Sequence, residues 1–329
     1  MTGPGVAAAV APGRDAVGAA DRLRGRVAGE MAAVLAAAAV APGRVHVGWV
    51  AALDAAGCAA RFRGQGEQGW GFPGWSPTTA AGAVARAALD AWLEEHDRPA
   101  PRPAGPPAPL EVVRGWMRDT SDLAGDGVAG WVAERREDGD PAALAATAAG
   151  SARWLAGFLR VMGWPLPADL GLLNAGRGSL TWRPPGVAGV SVTSGADARW
   201  GRVSGAGRFS LVVHRPAAGD DGGLDRRATF EAAAGALVRG IAPEAVVVTA
   251  GDTGERLRLD VDGDVLAAGG AMAVEVVRQR VLAAERGFDP GDATPSAGCR
   301  HCDHAAACPP GQAWLSGPGH ARGGLPVRT

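Results

Sequence analysis

The spacing of apolar residues changes its period along the chain. From Asp15 to about Val40 the Val, Leu, Met and Ala positions recur on one helical face, and Pro42-Gly43 ends the run. Val45 to Val50 reads as a short strand. Thr78 to Glu95 predicts a second helix, with Ser76 as N-cap, Pro77 in the first turn, and Val84, Leu89 and Leu93 among its apolar positions. The linker Pro99 to Pro109 breaks regular structure. From about Leu110 to Trp164 the period is helical again, and Trp154, Leu155, Phe158 and Leu159 supply one apolar stripe that reads as core packing. After Pro185 the pattern shifts to short β-type runs separated by glycine: Val187 to Thr193, Phe209 to His214, and Ala245 to Thr249. The helix-like segment Arg226 to Arg239 between the last two makes a strand-helix-strand unit. A last helix, about Ala271 to Arg286, precedes a cysteine cluster, and the Gly/Pro-rich tail after Ser316 is expected to be disordered. The predicted class is α/β. An N-terminal helical segment (1–43) leads into a main domain (44–316), with a helical insert at about 110–164, a sheet core at about 187–290 and a flexible tail (317–329).

Composition narrows the chemistry. With 329 residues and 47% hydrophobic content the chain has enough apolar surface for a large core. Its 33 basic and 34 acidic residues nearly cancel, so any basic site must be local. The sequence has no lysine and no tyrosine. A phosphate-cradling P-loop, which needs lysine, is therefore excluded. The Ala-rich run Met31 to Ala41, with Glu30 at its edge, is about half the roughly 20 residues that cross a bilayer, so no membrane partner is expected. Met1 to Arg14 does not read as a signal peptide, and a cytoplasmic location is expected. In that compartment four cysteines are thiols or metal ligands rather than disulfides.

Three of them, Cys299, Cys302 and Cys308, form a C-x2-C-x5-C array that can bring three thiolates to one metal centre. A fourth ligand is needed, and Cys58 is the only other cysteine. All four would then hold a 4Fe-4S cluster. The alternative is a zinc knuckle completed locally by His301 or His304, which leaves Cys58 as an ordinary residue.

The segment Leu53-Asp-Ala-Ala-Gly-Cys58-Ala-Ala-Arg61-Phe62-Arg63, read with the C-terminal array, resembles the iron-sulfur branch of RecB-like PD-(D/E)XK nucleases, which includes AddB-type nuclease domains and CRISPR adaptation exonucleases. The resemblance spans about Val45 to Pro309, with the helical insert poorly matched. It implies a restriction-endonuclease-like core, a mixed central sheet flanked by helices, with a C-terminal Fe-S staple through Cys58, Cys299, Cys302 and Cys308.

The family's catalytic residues are not matched. Its glycine-to-histidine motif falls on Gly82-Ala-Val-Ala-Arg86, where the arginine cannot ligate a metal. Its first metal-binding acid falls on Asp197 of Gly195-Ala196-Asp197, one residue short in spacing; a plain turn aspartate is the other reading. Its strand carrying the second acid and a lysine falls on Ser210-Leu-Val-Val-His214-Arg215-Pro216. Val213 and Arg215 stand there in one register, His214 and Pro216 in the other. The Q-x-x-x-Y helix falls in Arg226 to Val238, with Phe230 at the place of the missing tyrosine.

Metal-dependent phosphodiester hydrolysis needs several carboxylates around Mg or Mn. The resemblance therefore implies a pseudo-nuclease, with Arg86, Asp197, His214 and Arg215 as vestiges. Such a protein would serve as a DNA-binding or scaffolding component alongside a helicase or repair partner. Arg61, Arg63, Arg86 and Arg215 are candidate contacts to a phosphate backbone, unless carboxylates take them. Two other readings stand beside it. One is an active exonuclease built on Asp197 with Asp220 or Glu231 and an arginine for the lysine; the other is a redox or iron-sensing Fe-S protein. Asp220-Asp221 and the Asp260, Asp262 and Asp264 set read as solvated turns, and His46, His96 and His320 as isolated histidines.

Overall fold

The computed structural model describes residues 15–64, 75–96, 105–120, 127–167, 169–173, 181–201, 209–215, 224–251, 253–296, 299, 302 and 304–317. Met1 to Arg14, Pro216, Asp220, Asp221, His301, His320, part of the 99–109 linker and nearly all of the C-terminal tail lie outside these residues.

The long apolar period at the start of the chain becomes helix α1 (Ala16–Ala36), whose Leu23, Val27 and Met31 are buried on one side. Strand β1 is shorter than its sequence suggests (Val45–Val47), because Gly48 starts a new helix at once: α2 (Trp49–Gly57). Cys58 separates α2 from α3 (Ala59–Gly64). Helix α4 (Pro77–His96) begins as its sequence predicts, with the Ser76 hydroxyl accepting the Thr79 N–H at 3.2 Å.

The region read as an insert contains α5 (Pro109–Asp119), α6 (Val128–Glu137) and α7 (Pro141–Met162), the last capped by Asp140, which accepts the Ala143 N–H. It does not stand apart from the sheet. Trp154, Leu155, Phe158 and Leu159 pack with Val84 and Leu89 of α4 and against the inner residues Ala198 and Val212 of the sheet. Through α7 it covers one face of the sheet, and α5 and α6 pack on α4 and α7.

Strands β2 (Leu170–Leu172), β3 (Thr181–Trp182), β4 (Val190–Thr193), β5 (Ala198–Gly201) and β6 (Phe209–Arg215) lead to helix α8 (Leu224–Arg239). Then come β7 (Ala245–Ala250), β8 (Arg256–Asp260), α9 (Gly263–Arg286) and α10 (Pro309–Leu315). One mixed sheet runs β2-β5-β6-β7-β8, and a smaller one β1-β4-β3. The predicted strand-helix-strand unit is β6-α8-β7: its strands are parallel, with Leu211 opposite Val246 and Val213 opposite Val248. Every residue of β7 is buried, as a strand covered on both faces requires. At the edge, β8 exposes Arg256, Arg258 and Asp260, charges that oppose pairing with another strand.

The alternation along β6 sorts the molecule into two cores. Phe209, Leu211 and Val213 face α1, α2, α8 and α9, while Val212 faces α4 and α7. The first side is assembled on glycine. A Cβ on Gly269 of α9 would stand 2.7 Å from the Ala233 Cβ of α8 and strike the Thr229 carbonyl; one on Gly270 would stand 2.9 Å from Leu23 of α1. Helices approach this closely only where a side chain is missing. Sequence periodicity missed the first third of α9 for the same reason: Gly269-Gly270 interrupts its apolar pattern. None of the described helices is long and apolar enough to cross a membrane.

Gly25 of α1 is exposed, with nothing within 4 Å of an added Cβ. Gly25→Ala should stabilise the protein by about 0.5–1 kcal/mol through helix propensity alone. Gly269→Ala should destabilise it by roughly 1–3 kcal/mol, because overpacking outweighs that gain. Denaturant midpoints of the two variants that move in the same direction would contradict this account of the α8-α9 contact.

Candidate functional site

Two constellations named from the sequence are assembled by this fold, on different parts of the molecule.

The first surrounds the cysteines. Cys58 and Cys308 occupy equivalent local positions, each in extended backbone at the break between two helical segments (φ −152°, ψ 100° and φ −115°, ψ 93°). Each carbonyl starts the following turn, Cys58 accepting the Phe62 N–H at 3.0 Å and Cys308 the Gln312 N–H at 2.9 Å. Cys299 and Cys302 lie on consecutive i-to-i+3 turns, and the Ser296 N–H points at the Cys299 Sγ at 3.4 Å. All four cysteines line one pocket with about 370 Å³ of atom-free space, open solvent included. Its remaining wall is largely apolar, with Ala60, Phe288, Ala293, Pro295 and Ala305, plus Arg61. Gly311 closes one side: a Cβ there would stand 3.2 Å from the Cys308 Sγ and 3.6 Å from the Cys299 Sγ. Among the described residues no three Cys, His, Asp or Glu side chains converge tightly enough for one metal ion. The thiols border a shared space and do not meet at a point.

The C-terminal segment is held against α3 by more than cysteines. Arg63, 3% exposed, is ion-paired with Asp292 of the short turn Pro290–Asp292, and the same turn is capped by Asp289 through the Gly291 N–H at 2.8 Å. His304 stacks on Phe288 with ring centroids 4.6 Å apart and presses on Gly64, where no Cβ would fit. His304 does not line the cysteine pocket. The Cys₃His zinc set therefore lacks this histidine, and His301 is outside the described residues.

The second constellation is the Arg86, Asp197 and His214 group. Helix α4 brings Arg86 to Asp197, in the turn between β4 and β5, and the two form an ion pair in which Asp197 is 4% exposed. The other Asp197 oxygen accepts the backbone N–H of His214 at 2.6 Å. Both carboxylate oxygens are thus occupied by protein donors. The His214 ring is enclosed by Trp154, edge-on at 4.9 Å, and Phe158, edge-on at 5.7 Å, and its Nδ1 is bonded to the Thr249 hydroxyl at 2.8 Å. Gly157 and Gly251 make room for it, since a Cβ on either would come within about 3 Å of the ring. Burial drives its pKa down to about 4, against the opposing effects of the Asp197 charge and the Trp154 backbone. His214 is neutral at pH 7.

Glu231 of α8 reaches the same turn from the opposite core. It is fully buried and accepts the Ser194 hydroxyl and the Gly195 N–H, both at 2.9 Å, with the Arg227 guanidinium 3.7 Å away. Burial raises its pKa although Arg227 and the two hydrogen bonds work against the rise. The sequence reading offered Glu231 only as a spare metal ligand. Its place in the structure is a turn clamp, for which the small residues at 194–196 were the one sequence signal.

Carboxylates take most of the arginines considered for nucleic acid. Arg61 lies 4.0 Å from Asp54, Arg63 pairs with Asp292 and Arg86 with Asp197. Arg215, half-buried, ends β6, and its carbonyl accepts the Gly251 N–H at 2.7 Å. Asp262 is the N-cap of α9, accepting the Val265 N–H, so the Asp260 to Asp264 stretch is a capped helix start. His46 bridges β1 to β4 through Ser191 and Thr193 at 3.1 Å each.

Because His214 has a folded pKa near 4 and an unfolded value of 6.5, the unfolded chain takes up the proton first on acidification. Stability present above pH 6.5 should fall by up to about 3 kcal/mol as the pH drops to 4. Glu231 contributes with the opposite sign, its raised pKa giving stability that is lost as pH rises through its folded value. Urea titrations of wild type and His214→Gln across this range isolate the histidine. The wild type should lose more stability on acidification than the variant, and parallel curves would refute the assignment. No protein-family model matches the chain and no curated protein is significantly similar to it, so the functional reading rests on these two constellations.

Proposed function

We propose that this chain is a RecB-like, PD-(D/E)XK nuclease-fold protein that has lost catalysis, is stapled by a 4Fe-4S cluster, and serves as a scaffolding or DNA-binding component of a repair or recombination assembly. The observation that carries the reading is the single pocket lined by Cys58 and by Cys299, Cys302 and Cys308. Nothing in the chain's secondary structure requires a residue before α3 to share a wall with a segment more than 200 positions later.

The wall suits such a cluster. A cubane carries its ligands on separate irons, so its thiolates surround a volume, whereas one zinc ion draws all four ligands to a single centre. The pocket offers four soft donors, an apolar lining, an N–H directed at sulfur and a cationic Arg61 beside what would be a negatively charged thiolate-bound cluster. When bound, the cluster supplies a covalent link between the two ends of the domain. Around it the chain's residues do the positioning: Arg63 with Asp292 and Phe288 with His304 hold the C-terminal segment on α3.

The Arg86–Asp197 pair supports the loss of catalysis. In the nuclease lineage that acid would face a divalent ion, and here a guanidinium stands against one oxygen and a backbone N–H against the other. Val213 is buried in the first core and offers no ligand, and the protein has no lysine to activate water. An active site recruiting Glu231 is disfavoured by that residue's bonds to Ser194 and Gly195.

Protein purified without oxygen should contain about four irons and four sulfides per chain and show a broad absorption band in the blue-violet. Cys58→Ala should lose most of the iron. Zinc in place of iron, with no effect of Cys58→Ala, would remove the cluster reading. The cluster-loaded protein should also release no nucleotides from single- or double-stranded DNA with Mg²⁺ or Mn²⁺. Cleavage abolished by Asp197→Asn would establish an active nuclease instead.

A further inference from the structure

Away from the cysteine pocket, two arginines share one face of the five-stranded sheet. Arg199 of β5 is opposite Leu211 of β6 in register, and Gly201, two residues on, is opposite Phe209. Leu211 and Phe209 face the α8 side, so Arg199 faces it too. Arg239, in the last turn of α8, places its guanidinium carbon 5.9 Å from the centre of the Phe209 ring. The Arg199 guanidinium lies across the edge strand, its Nη2 3.1 Å from where a Cβ of Gly171 would stand. Both side chains are half-buried, and the Arg199 Nε is shielded from water with no hydrogen-bond partner.

Neither arginine has an ion-pair partner among the described residues. Asp169, the acid on the neighbouring edge, is exposed and pairs with neither. Glu244 is engaged by Arg258 at 3.8 Å. The carbonyls at the end of α8 cannot absorb the charge of Arg239 either, because Arg24 of α1 already donates to those of Leu237 and Val238, at 2.7 and 3.2 Å. Between Gly201 and Phe209, and between Leu173 and Thr181, the sequence carries three arginines and no acid. Burial and the Arg199 charge both depress the Arg239 pKa, the sign of two cations left to repel each other. Three other sheltered arginines of this chain are paired with carboxylates, Arg63 with Asp292, Arg86 with Asp197 and Arg227 with Glu231, and others, such as Arg24, Arg136 and Arg160, donate to backbone carbonyls.

We propose that Arg199 and Arg239 together bind a phosphate group, free or in a nucleic-acid backbone, on the α8 face of the five-stranded sheet beside edge strand β2. Each guanidinium is a planar fork of donors suited to an oxyanion, and an anion held between the two would remove their mutual repulsion. The site lies apart from the cysteine pocket and needs neither the cluster nor the nuclease lineage, so its failure would leave those readings untouched.

The test uses the full chain, purified without oxygen, and thermal unfolding at constant ionic strength in chloride, with and without inorganic phosphate or a 20-nucleotide oligothymidylate. Wild type should show a saturable rise of roughly 2 °C with at least one of them. Arg199→Gln and Arg239→Gln should each weaken the apparent affinity about tenfold or more. Arg26→Gln on the exposed face of α1 should respond as wild type. Saturation by phosphate alone identifies a free phosphate as sufficient, and a response only to the oligonucleotide identifies the backbone; both support the site. No saturable response, or the wild-type response in both Arg199→Gln and Arg239→Gln, overturns it. Without phosphate or oligonucleotide the variants should unfold at or above the wild-type temperature, since a repulsion is removed. A fall of several degrees with the anion response intact would make these arginines structural and also overturn the proposal. Should Arg199→Gln fail to fold, Arg239→Gln carries both comparisons.

Discussion

The Asp197 carboxylate is the point at which the two hydrophobic cores are tied together. Its turn joins β4 of the smaller sheet to β5 of the larger one, and the carboxylate projects toward α4, where Arg86 meets it. On the other side of the same turn Glu231 of α8 takes the Ser194 hydroxyl and the Gly195 N–H. Two buried carboxylates therefore clamp this turn, taking the backbone N–H groups of Gly195 and His214, the Ser194 hydroxyl and the Arg86 guanidinium. A buried ion pair adds little net stability over an apolar contact of the same size, but losing one partner strands a charge at a cost of about 3–5 kcal/mol. The pair thus fixes the register of the layers more than it strengthens them. His214 follows from this arrangement: its N–H is consumed by Asp197, and its ring fills the gap left by Gly157 and Gly251.

Much of the scaffold was legible in the sequence where the periodic signal was long. Helices α1, α4 and α8 and strands β6 and β7 fall within a few residues of the predicted segments, because each carries a sustained apolar face or a β-branched run, and α7 lies inside the stretch read only as helical. The short strands β2, β3, β5 and β8 were not legible. Leu170–Leu172 and Thr181–Trp182 are too brief to show an alternation, and Arg256–Asp260 alternates between leucine and exposed charge at an edge. How residues 110–164 sit on the sheet was not legible for a different reason. Its stripe of Trp154, Leu155, Phe158 and Leu159 has the period of any amphipathic helix, and period cannot tell a peripheral bundle from a layer that covers a sheet. Only the partners of the stripe, Ala198 and Val212, decide that.

The site residues divide in the same way. Spacing within C-x2-C-x5-C is local and can be read directly, and Cys58 is joined to it as the one cysteine left and through a resemblance in its flanking residues. The fold gives a local rationale for that choice, with Cys58 and Cys308 in matching extended breaks between helices and Gly311 making room for two sulfurs. Arginine roles were the least legible feature. Whether Arg63, Arg86 or Arg61 meets a phosphate or a carboxylate depends on which acid the fold delivers to it, and Asp292, Asp197 and Asp54 carry no mark of that in their own neighbourhoods.

Under the proposed lineage, the vestigial site has a simple charge logic. A carboxylate buried at 4% exposure needs a cation, and a nuclease meets that need with a divalent metal whose open positions do the chemistry. Arg86 meets it with a charge that is part of the chain, cannot dissociate and offers no position to water or substrate. The exchange makes the turn independent of metal and removes the reaction in one step. Under that lineage, reversing it would take more than Arg86: the second acid would fall on Val213, packed in the first core, or on His214, and the lysine on Arg215 or Pro216. Replacing Arg86 alone would leave Asp197 buried and uncompensated before it created any metal site. An internal cation at this turn therefore leaves the fold intact with no metal bound, which is the condition the proposed scaffolding role requires.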